Sequence, residues 1–530
     1  MATATLAFCI VALSDSGPGA PAACIRENPG AILKHHERPP TGVGSNIFLR
    51  TGEDGVSRHR QHLPQLVGLG VAAAVLVGGI LGPPVGGVDD TVRPVLAVFA
   101  ATLVLWITKP VPYAVSSVLC VALLHALGTV PTFADAVSGF ASTLVFFFVV
   151  LLLVGRSVAN VDLDDWVAAR LVAARDTPRR SVRRLSVMVL LLAFVLPSGL
   201  ARGVTFMPII DRINASFGAP ADSQFRRLAY YVIGHLNPVA SLALMTGGSM
   251  AVATAELVNA SVRPLTWVEW ALYMAPPTVL LFVSCTVLGA RYYDVSGEVL
   301  AGAATETDAD AEGDGPPLEA LGRDQRLVLG GLVGAIVMWI VGSFVGIPTL
   351  VPAVLIVVLF SLPGVGVLDA SDVRAINWGI VFLVGAMLSL LDVMRAVGAF
   401  DLVVEAFGVV VPSGAPDAVV VAAVFAVAVL VRGTFSSVSA SFVVLFPVVL
   451  EGLSTTDVTP LYVSFGLTTI LMAATFLPFN NPAVLVAYDR GPLDATDVFR
   501  LGLLTLAVAV VVVVLSWTVY WPFVDGVVTI

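Results

Sequence analysis

Long apolar stretches separated by short polar segments run through the chain from about residue 63 to its end. In the first half they lie at about 63–83, 92–108, 110–129, 139–157 and 267–291, and in the second half at about 327–345, 348–365, 376–397 and 497–523. Most have the length that a helix needs to cross a bilayer, and they lack the period-two alternation of membrane strands. The pattern predicts an all-α integral membrane protein with about 11 transmembrane helices.

Two further apolar stretches are interrupted by small, hydroxyl-bearing and arginine residues. They are Leu196-Pro-Ser-Gly-Leu-Ala-Arg-Gly-Val-Thr-Phe-Met-Pro208, within residues 185–214, and Arg432-Gly-Thr-Phe-Ser-Ser-Val-Ser-Ala-Ser-Phe-Val-Val-Leu-Phe-Pro447, within residues 417–450. Ser198 and Ser437 precede the closing prolines by the same interval. Hydrocarbon tolerates non-helical backbone only where protein buries it or a water-filled cavity solvates it. Both segments are therefore predicted to be re-entrant helical hairpins.

Each half also contains a broken helix, and the order of elements is the same in both halves. The breaks lie at Thr246-Gly-Gly-Ser249, within residues 226–258, and at Leu477-Pro-Phe-Asn-Asn-Pro482, within residues 461–490. The same order occurs twice: a span, an amphipathic stretch, a hairpin, a broken helix and a final span. This order predicts a first transmembrane repeat over residues 63–302 and a second over residues 327–530. Interrupted segments at matching places in two repeats are typical of the binding site of a secondary transporter.

Charged residues give the two hairpins opposite orientations. The first is flanked by Arg179, Arg180, Arg183, Arg184, Arg226 and Arg227, whereas the second is flanked by Asp401, Glu405, Asp417, Glu451 and Asp457. Because arginine and lysine accumulate on the cytoplasmic side, the first hairpin is expected to have cytoplasmic ends and the second to have external ends. The repeats are therefore predicted to be inverted. Arg58-His-Arg60 predicts a cytoplasmic N-terminus in a multi-pass protein of the plasma membrane.

Composition narrows the class of protein. Of the 530 residues 57% are hydrophobic and 12% charged, with a net charge of −9; soluble domains carry about 25% charged residues. Residues 1–62 are predicted to be a disordered extension, and the acidic residues 303–326 to be a cytoplasmic linker between the repeats. Four scattered cysteines and the lack of a His-Glu-x-x-His, Gly-x-Ser-x-Gly or phosphate-loop motif favour a protein that is not an enzyme. The expected partners are a small anion and the bilayer, not nucleic acid.

The interrupted segments supply groups that could bind an anion near the membrane midplane. Helix N-termini at the breaks offer free N–H groups and partial positive charge. Ser198, Ser437 and Ser439 can add hydroxyl groups, and Asn480 and Asn481 can donate to an anion or accept from a cation. The alternative is that these small residues only allow helices to pack closely.

Arg202 and Arg432 are the most unusual residues in the hairpins. An arginine at membrane depth costs roughly 2.5–3.5 kcal/mol on insertion scales, and its fork of donors suits a carboxylate or sulfate. One hypothesis is that the two guanidinium groups supply positive charge at the site. The alternative is that each side chain reaches an interface or caps a hairpin.

Two segments resemble the divalent anion:sodium symporter family, which includes sodium/dicarboxylate and sodium/sulfate cotransporters. Trp106-Ile-Thr-Lys-Pro-Val-Pro112 resembles the family's early Trp-Ile-Thr-Glu-(small)-(apolar)-Pro segment, and Phe476-Leu-Pro-Phe-Asn-Asn-Pro-Ala-Val-Leu-Val-Ala-Tyr-Asp-Arg-Gly491 resembles its late Leu-Pro-x-x-Thr-Pro-Pro-Asn segment. The resemblance covers the chain from about residue 63 to the end. It implies a homodimer that carries a small anion, with sodium as the possible coupling ion and no other cofactor.

The resemblance also implies where the site lies, with marked departures. The family's Ser-Asn-Thr triplets fall on Ser198-Gly199-Leu200 and Ser437-Val438-Ser439, and its Thr-Pro-Pro-Asn segments fall on Gly247-Gly248-Ser249-Met250 and Asn481-Pro482-Ala483-Val484. The implied substrate contacts are Ser198, Gly199, Leu200, Ser437, Val438, Ser439, Asn481 and Pro482. The implied sodium-site residues are Ser198, Gly247, Ser436, Ser437 and Asn480. Both triplet asparagines are replaced, by Gly199 and Val438.

These features predict a secondary active transporter that moves a dicarboxylate, tricarboxylate or sulfate by alternating access. Sodium coupling is one possibility. If Arg202 or Arg432 supplies the charge that sodium supplies in relatives, the protein is instead a sodium-independent exchanger or uniporter. An arsenite/citrate-type permease of the same superfamily and a channel are the further alternatives.

Overall fold

The computed structural model describes residues 54–82, 89–163, 166, 177–195, 199–295, 321–399, 402, 405, 414–454 and 456–528. Most of these residues lie in helices. No β-strand occurs among these residues, and the prediction of an all-α fold is confirmed. The helices of the first half are α1 (Asp54–Leu81), α2 (Val92–Thr108), α3 (Tyr113–Ala126), α4 (Phe133–Ala136), α5 (Thr143–Asn160), α6 (Pro178–Val195), α7 (Gly199–Ser216), α8 (Gln224–Tyr231), α9 (Asn237–Ala240), α10 (Ser249–Ser261) and α11 (Trp267–Tyr292). A 3₁₀ turn, Ser138–Ala141, precedes α5, and a π turn, Val232–Leu236, joins α8 to α9.

The second half follows the same order. Its helices are α12 (Arg323–Val345), α13 (Leu350–Ser361), α14 (Ala370–Ala375), α15 (Trp378–Ala396), α16 (Asp417–Arg432), α17 (Val438–Gly452), α18 (Pro460–Ala473), α19 (Pro482–Arg490), α20 (Ala495–Leu515) and α21 (Trp521–Val528). A 3₁₀ turn, Pro478–Asn480, precedes α19, and a π turn, Ser516–Tyr520, joins α20 to α21. We call α6 and α7 hairpin 1, α16 and α17 hairpin 2, residues 241–248 break 1, and residues 474–481 break 2.

Local sequence fixes several helix ends. Thr266 and Glu269 form a capping box at the start of α11, in which Thr266 Oγ1 accepts from the Glu269 N–H at 3.2 Å and Glu269 Oε2 accepts from the Thr266 N–H at 2.7 Å. Asp494 and Asp497 form the same reciprocal pair at the start of α20. Such pairs satisfy N–H groups that a helix start leaves without partners. Gly346, with φ of 76°, ends α12 in the left-handed conformation that glycine adopts readily.

The two halves pack on one another reciprocally. Helix α5 of the first half packs on α13 of the second, and α15 of the second half packs on α3 of the first. Likewise α10, which follows break 1, packs on α17 of hairpin 2, and α19, which follows break 2, packs on α7 of hairpin 1. Repeats related by a pseudo-two-fold axis produce such an exchange of partners. The helix that follows each break therefore lies against the hairpin of the other half.

Among the described residues, five helices are long and apolar enough to cross a membrane by length and composition: Thr143–Asn160, Trp267–Tyr292, Arg323–Val345, Trp378–Ala396 and Ala495–Val528. Large apolar side chains lie exposed on the outer faces of α11, α12 and α20, for example Leu280, Val287, Val337, Phe344, Val511 and Val514. Exposed apolar faces of this extent mark a lipid-facing surface. The protein is therefore a multi-pass membrane protein, whereas the number of about 11 membrane helices stays a prediction.

Several predicted boundaries differ from the helix ends. The expected disorder of residues 1–62 overlaps α1, which begins at Asp54, and the expected linker 303–326 overlaps the start of α12. Residues 1–53 and 296–320 lie outside the described residues. The hairpin predicted at 185–214 extends from Pro178 to Ser216, and the hairpin predicted at 417–450 extends to Gly452. Residues 196–198, which include the predicted site residue Ser198, also lie outside the described residues.

A charged network ties the base of hairpin 1 to the second half. Arg226 Nε donates to Asp211 Oδ1 at 2.7 Å and Arg226 Nη2 donates to the Arg490 carbonyl at 3.2 Å. Arg227 Nη1 donates to Asp497 Oδ2 at 2.6 Å, and both side chains are largely buried, at 25% and 10% exposure. The network joins α7, α8, α19 and α20 at one end of the molecule.

Breaking this network at Asp497 is expected to destabilise the protein. Asp497→Asn leaves the Arg227 guanidinium without its anionic partner, and we expect the free energy of unfolding to fall by about 1–3 kcal/mol. Thermal unfolding of the purified protein in detergent measures the change. Asp489→Asn, at an exposed position on the neighbouring helix α19, is the matched control. Equal unfolding temperatures of the two variants would contradict the structural role of the Arg227 pair.

Candidate functional site

Hairpin 2 contributes a buried helix N-terminus. Helix α16 ends at Arg432 and α17 begins at Val438, with Ser437 as its N-cap residue. Ser437 Oγ accepts from the Ala440 N–H at 3.3 Å, which stabilises the start of α17. Ser437 is half-buried, and Val438 and Ser439 are buried. The triplet predicted to contact substrate therefore forms the first turn of α17.

Break 1 places a second helix N-terminus beside the first. The backbone folds tightly at Gly247, where an added Cβ would lie 2.3 Å from the Ser241 carbonyl oxygen. Helix α10 then begins at Ser249, and the hydroxyl groups of Ser249 and Ser439 lie 2.9 Å apart. Two helix N-termini from different halves thus converge at one serine pair. Their partial positive charges and hydroxyl groups make this point suited to an anion.

Arg432 joins the tip of hairpin 2 to break 2. Its Nη1 donates to the Phe435 carbonyl at 2.9 Å and its Nη2 to the Asn480 carbonyl at 2.7 Å. Asn480 completes the junction: its Nδ2 donates to the carbonyls of Gly433, at 2.9 Å, and Phe435, at 3.0 Å. Its Oδ1 accepts from the Leu477 N–H at 3.0 Å. Every side-chain polar atom of Asn480 is therefore engaged within the junction.

Arg202 forms a matching junction between hairpin 1 and break 1. Its Nε donates to Asn237 Oδ1 at 2.7 Å, and its Nη2 donates to Ser241 Oγ at 2.6 Å. Asn237 Nδ2 in turn donates to the Gly199 carbonyl at 2.5 Å. In both junctions an arginine of a hairpin thus binds an asparagine of a broken helix. The side-chain amide of that asparagine donates to a carbonyl at the hairpin tip.

Both arginine side chains are completely buried, at 0% exposure. Neither reaches a membrane interface, which the alternative of interfacial snorkelling requires. Their donors instead bind backbone carbonyls, the Asn237 amide oxygen and the Ser241 hydroxyl between a hairpin and a break, which agrees with the other alternative, that each arginine caps a hairpin. The positive charge of each arginine therefore lies within a junction between a hairpin and a break.

The remaining residues that were predicted to form the site lie in different places. Asn481 is buried and caps α19, with its Oδ1 accepting from the Ala483 N–H at 3.0 Å, and Pro482 is the first residue of that helix. Leu200 is 43% exposed on α7, so its side chain does not line the junction of hairpin 1. Ser436 lies at the tip of hairpin 2, where its hydroxyl contacts that of Tyr113 at 3.2 Å. Gly199 contributes its carbonyl to the junction with Asn237.

Two junction partners, Asn237 and Ser241, were not predicted as site residues, nor was Ser249 of the serine pair. A buried asparagine or serine in an apolar helix has the same local sequence signal whether it packs or binds. The Asn237-Pro238 pair just before break 1 was the available signal. No group of three or more His, Cys, Asp or Glu side chains that could hold a metal occurs in the described part of the chain.

Two surface recesses lie away from the hairpin tips. One is lined by Arg180, Arg183 and Arg184 at the start of α6. The other includes Ser261, Arg395 and Glu451 and lies where α10, α15 and α17 end. Neither recess includes the residues of the junctions or of the serine pair.

Paired hairpins, paired breaks and buried polar junctions in an apolar helical protein define a membrane transporter. The chain belongs to the family described as the sodium:sulfate symporter transmembrane region, whose pattern matches residues 64–527. It is thus an anion transporter of this superfamily, and the predicted family resemblance is confirmed.

Several known proteins are similar over most of their length. A membrane protein of Cupriavidus necator is 22% identical over 477 residues, which cover 86% of this chain and 92% of that protein. The L-tartrate/succinate antiporter of Escherichia coli K12 is 25% identical over 489 residues, covering 85% of this chain and 97% of the antiporter. The crystal structure of the Alcanivorax borkumensis YdaH transporter, described as having an unusual topology, matches with a TM-score of 0.50 and 15% identity, covering 85% of this chain and 98% of that chain. This last likeness concerns the fold alone.

Proposed function

We propose that the protein exchanges small dicarboxylates across the plasma membrane by alternating access and without sodium. The similarity to L-tartrate/succinate antiporters supports the substrate class and the exchange mode. Sodium coupling, which the family description suggests, is the second candidate. The observation that favours transport without sodium is the Arg432 junction.

A sodium ion at hairpin 2 would need oxygen ligands from the tip and from break 2. Sodium is a hard cation, and hard cations take carbonyl and hydroxyl oxygens as ligands. The carbonyls of Phe435 and Asn480 are such oxygens, and both already accept from the Arg432 guanidinium. The Asn480 side chain, proposed for a sodium site, is held by Leu477, Gly433 and Phe435. A fixed guanidinium therefore supplies one positive charge where a bound sodium would supply it.

The substrate carboxylate would bind where the first turns of α10 and α17 meet. Ser249 and Ser439 would donate to it together with N–H groups of the two helix starts. Because one helix belongs to each half, movement of hairpin 2 against the first half would assemble and dissolve this site. That is the behaviour alternating access requires. A homodimer, a cytoplasmic N-terminus and cytoplasmic ends of hairpin 1 complete the proposal.

Removing the Ser439 hydroxyl is expected to weaken substrate binding. Ser439→Ala should raise the KM for succinate exchange about five- to tenfold, because one donor to a carboxylate is lost. Ser441→Ala is the matched control, since Ser441 is buried on the same helix and its hydroxyl donates to the Val438 carbonyl of that helix. Equal KM values for the two variants would exclude the serine pair from the site.

Thermal unfolding in the presence of anions tests the proposal by binding. We expect succinate or tartrate at 100 times its Kd to stabilise the purified protein by about 2.7 kcal/mol, equally in sodium chloride and in potassium chloride. Stabilisation only in sodium chloride would favour the symporter. Stabilisation by sulfate with no effect of either dicarboxylate would refute the substrate class.

A further inference from the structure

Lys109 and Tyr113 form a polar cluster beside the tip of hairpin 2 that the predicted site did not include. Lys109 follows α2, and Tyr113 is the first residue of α3. The Lys109 ammonium lies over the Tyr113 ring, 5.0 Å from its centroid, in a cation–π arrangement. The Tyr113 hydroxyl lies 3.2 Å from Ser436 Oγ, one residue before Ser437. The cluster thus connects the first half of the molecule to the tip of hairpin 2.

The backbone holds Lys109 in an uncommon conformation. Its φ of 48° and ψ of 49° are left-handed, and its N–H donates to the Leu105 carbonyl at 2.9 Å. A left-handed conformation is unfavourable for a residue that carries a Cβ, and such residues concentrate at functional sites. The following Pro110 adds to the restriction. Helix α2 thus ends at Lys109 in a left-handed turn, and the ammonium lies over the ring of Tyr113, four residues later.

Among the described residues, the two charged side chains shown to interact with Tyr113, Lys109 and Arg432, are both cationic. Its hydroxyl lies within electrostatic range of the Arg432 guanidinium, and Lys109 lies over its ring. Arg432 is buried, and its Nε has no hydrogen-bond partner among the described residues. Lys109 itself is exposed. An anionic group from solution would find a cation, a phenol and a serine hydroxyl together here.

We propose that Lys109, positioned by Tyr113, binds the second carboxylate of the substrate and so determines the preference for dicarboxylates. This inference rests on the proposed exchange of dicarboxylates. The first carboxylate would bind at Ser249 and Ser439, and the second would bind the Lys109 ammonium. Ser436, which contacts Tyr113, and Ser439, which contacts Ser249, lie three residues apart at one hairpin tip, so a short chain between two carboxylates suits the arrangement. A solute with a single carboxylate would not bind the Lys109 ammonium.

Competition assays in proteoliposomes test this role. Exchange of labelled succinate is inhibited with unlabelled succinate, which has two carboxylates, or with monomethyl succinate, which has one. In Lys109→Gln we expect the inhibitory concentration of succinate to rise about tenfold, the equivalent of one lost charge-assisted contact, and that of monomethyl succinate to stay within about twofold. Lys109→Arg keeps the charge and should retain the preference. Tyr113→Phe keeps the ring but releases Ser436, and should weaken succinate alone.

The control and the contrary results separate this inference from the proposed function. Arg500→Gln removes an exposed positive charge at the start of α20 and should leave both inhibitory concentrations unchanged. Equal shifts for the two inhibitors in Lys109→Gln, or no shift, would overturn the role of Lys109 while leaving sodium-independent exchange intact. Exchange by the unaltered protein only in sodium would overturn the proposed function and leave the inhibitor ratio valid. A protein that binds succinate in neither salt would overturn both.

Discussion

Arg432→Gln is expected to reduce dicarboxylate exchange by about 100-fold or more. The substitution removes the charge-assisted bonds to the carbonyls of Phe435 and Asn480, each of which contributes about 1.5–3 kcal/mol. A shorter neutral amide cannot bridge both carbonyls, so the tip of hairpin 2 loses its connection to break 2. The site also loses the positive charge that the proposal puts in place of sodium. Initial rates of labelled succinate exchange, normalised to folded protein, measure the effect.

Two companion variants show whether the charge or the connection matters. Arg432→Lys keeps the charge but cannot reach two carbonyls as a fork, and should recover part of the exchange. Arg395→Gln removes an arginine whose Nη2 donates to Ser261, away from the tips, and should exchange normally. Unchanged exchange in folded Arg432→Gln would rule out the role assigned to this arginine.

Gly247→Ala is expected to have the largest effect on folding. A Cβ at this position would lie 2.3 Å from the Ser241 carbonyl oxygen and 3.2 Å from the Leu244 carbonyl oxygen. Both contacts are with backbone, so break 1 must open for the methyl group to fit. Overpacking of this kind costs about 1–3 kcal/mol and occasionally more. We expect a clear loss of thermal stability and of succinate binding, since α10 starts directly after the break.

Gly330→Ala provides the comparison for this substitution. Gly330 lies within α12, and an added Cβ there has no atom within 4 Å among the described residues. Alanine is favoured over glycine inside a helix by about 1 kcal/mol, so this variant should be as stable as the original protein or more stable. Comparable stability of the Gly247 and Gly330 variants would show that break 1 does not have the tight backbone described.

Much of the fold was predictable because membrane helices leave a strong local signal. Apolar stretches of spanning length fixed the helical class, and interruptions near Ser437 and Gly247 marked hairpin 2 and break 1. Arg202 and Arg432 were conspicuous because a charge in an apolar segment is costly. Each of these inferences depends only on the sequence of a single segment.

The contacts that make the site could not be predicted, because they join residues far apart in the chain. The Ser249–Ser439 pair and the Tyr113–Ser436 pair each connect the two halves, and no periodicity within a helix encodes such pairing. Asn237 has the sequence context of an ordinary packing residue, yet it binds Arg202. Leu200 was assigned to the site by its place in a triplet, but the rotation of α7 leaves its side chain 43% exposed.

Exchange in two salts is the most direct test of the central claim. Proteoliposomes containing the protein are loaded with succinate, tartrate or chloride, and uptake of labelled succinate is followed in sodium chloride and in potassium chloride. The account predicts uptake only into vesicles loaded with a dicarboxylate, at the same rate in both salts. Uptake into chloride-loaded vesicles that requires external sodium would contradict it and identify a sodium symporter.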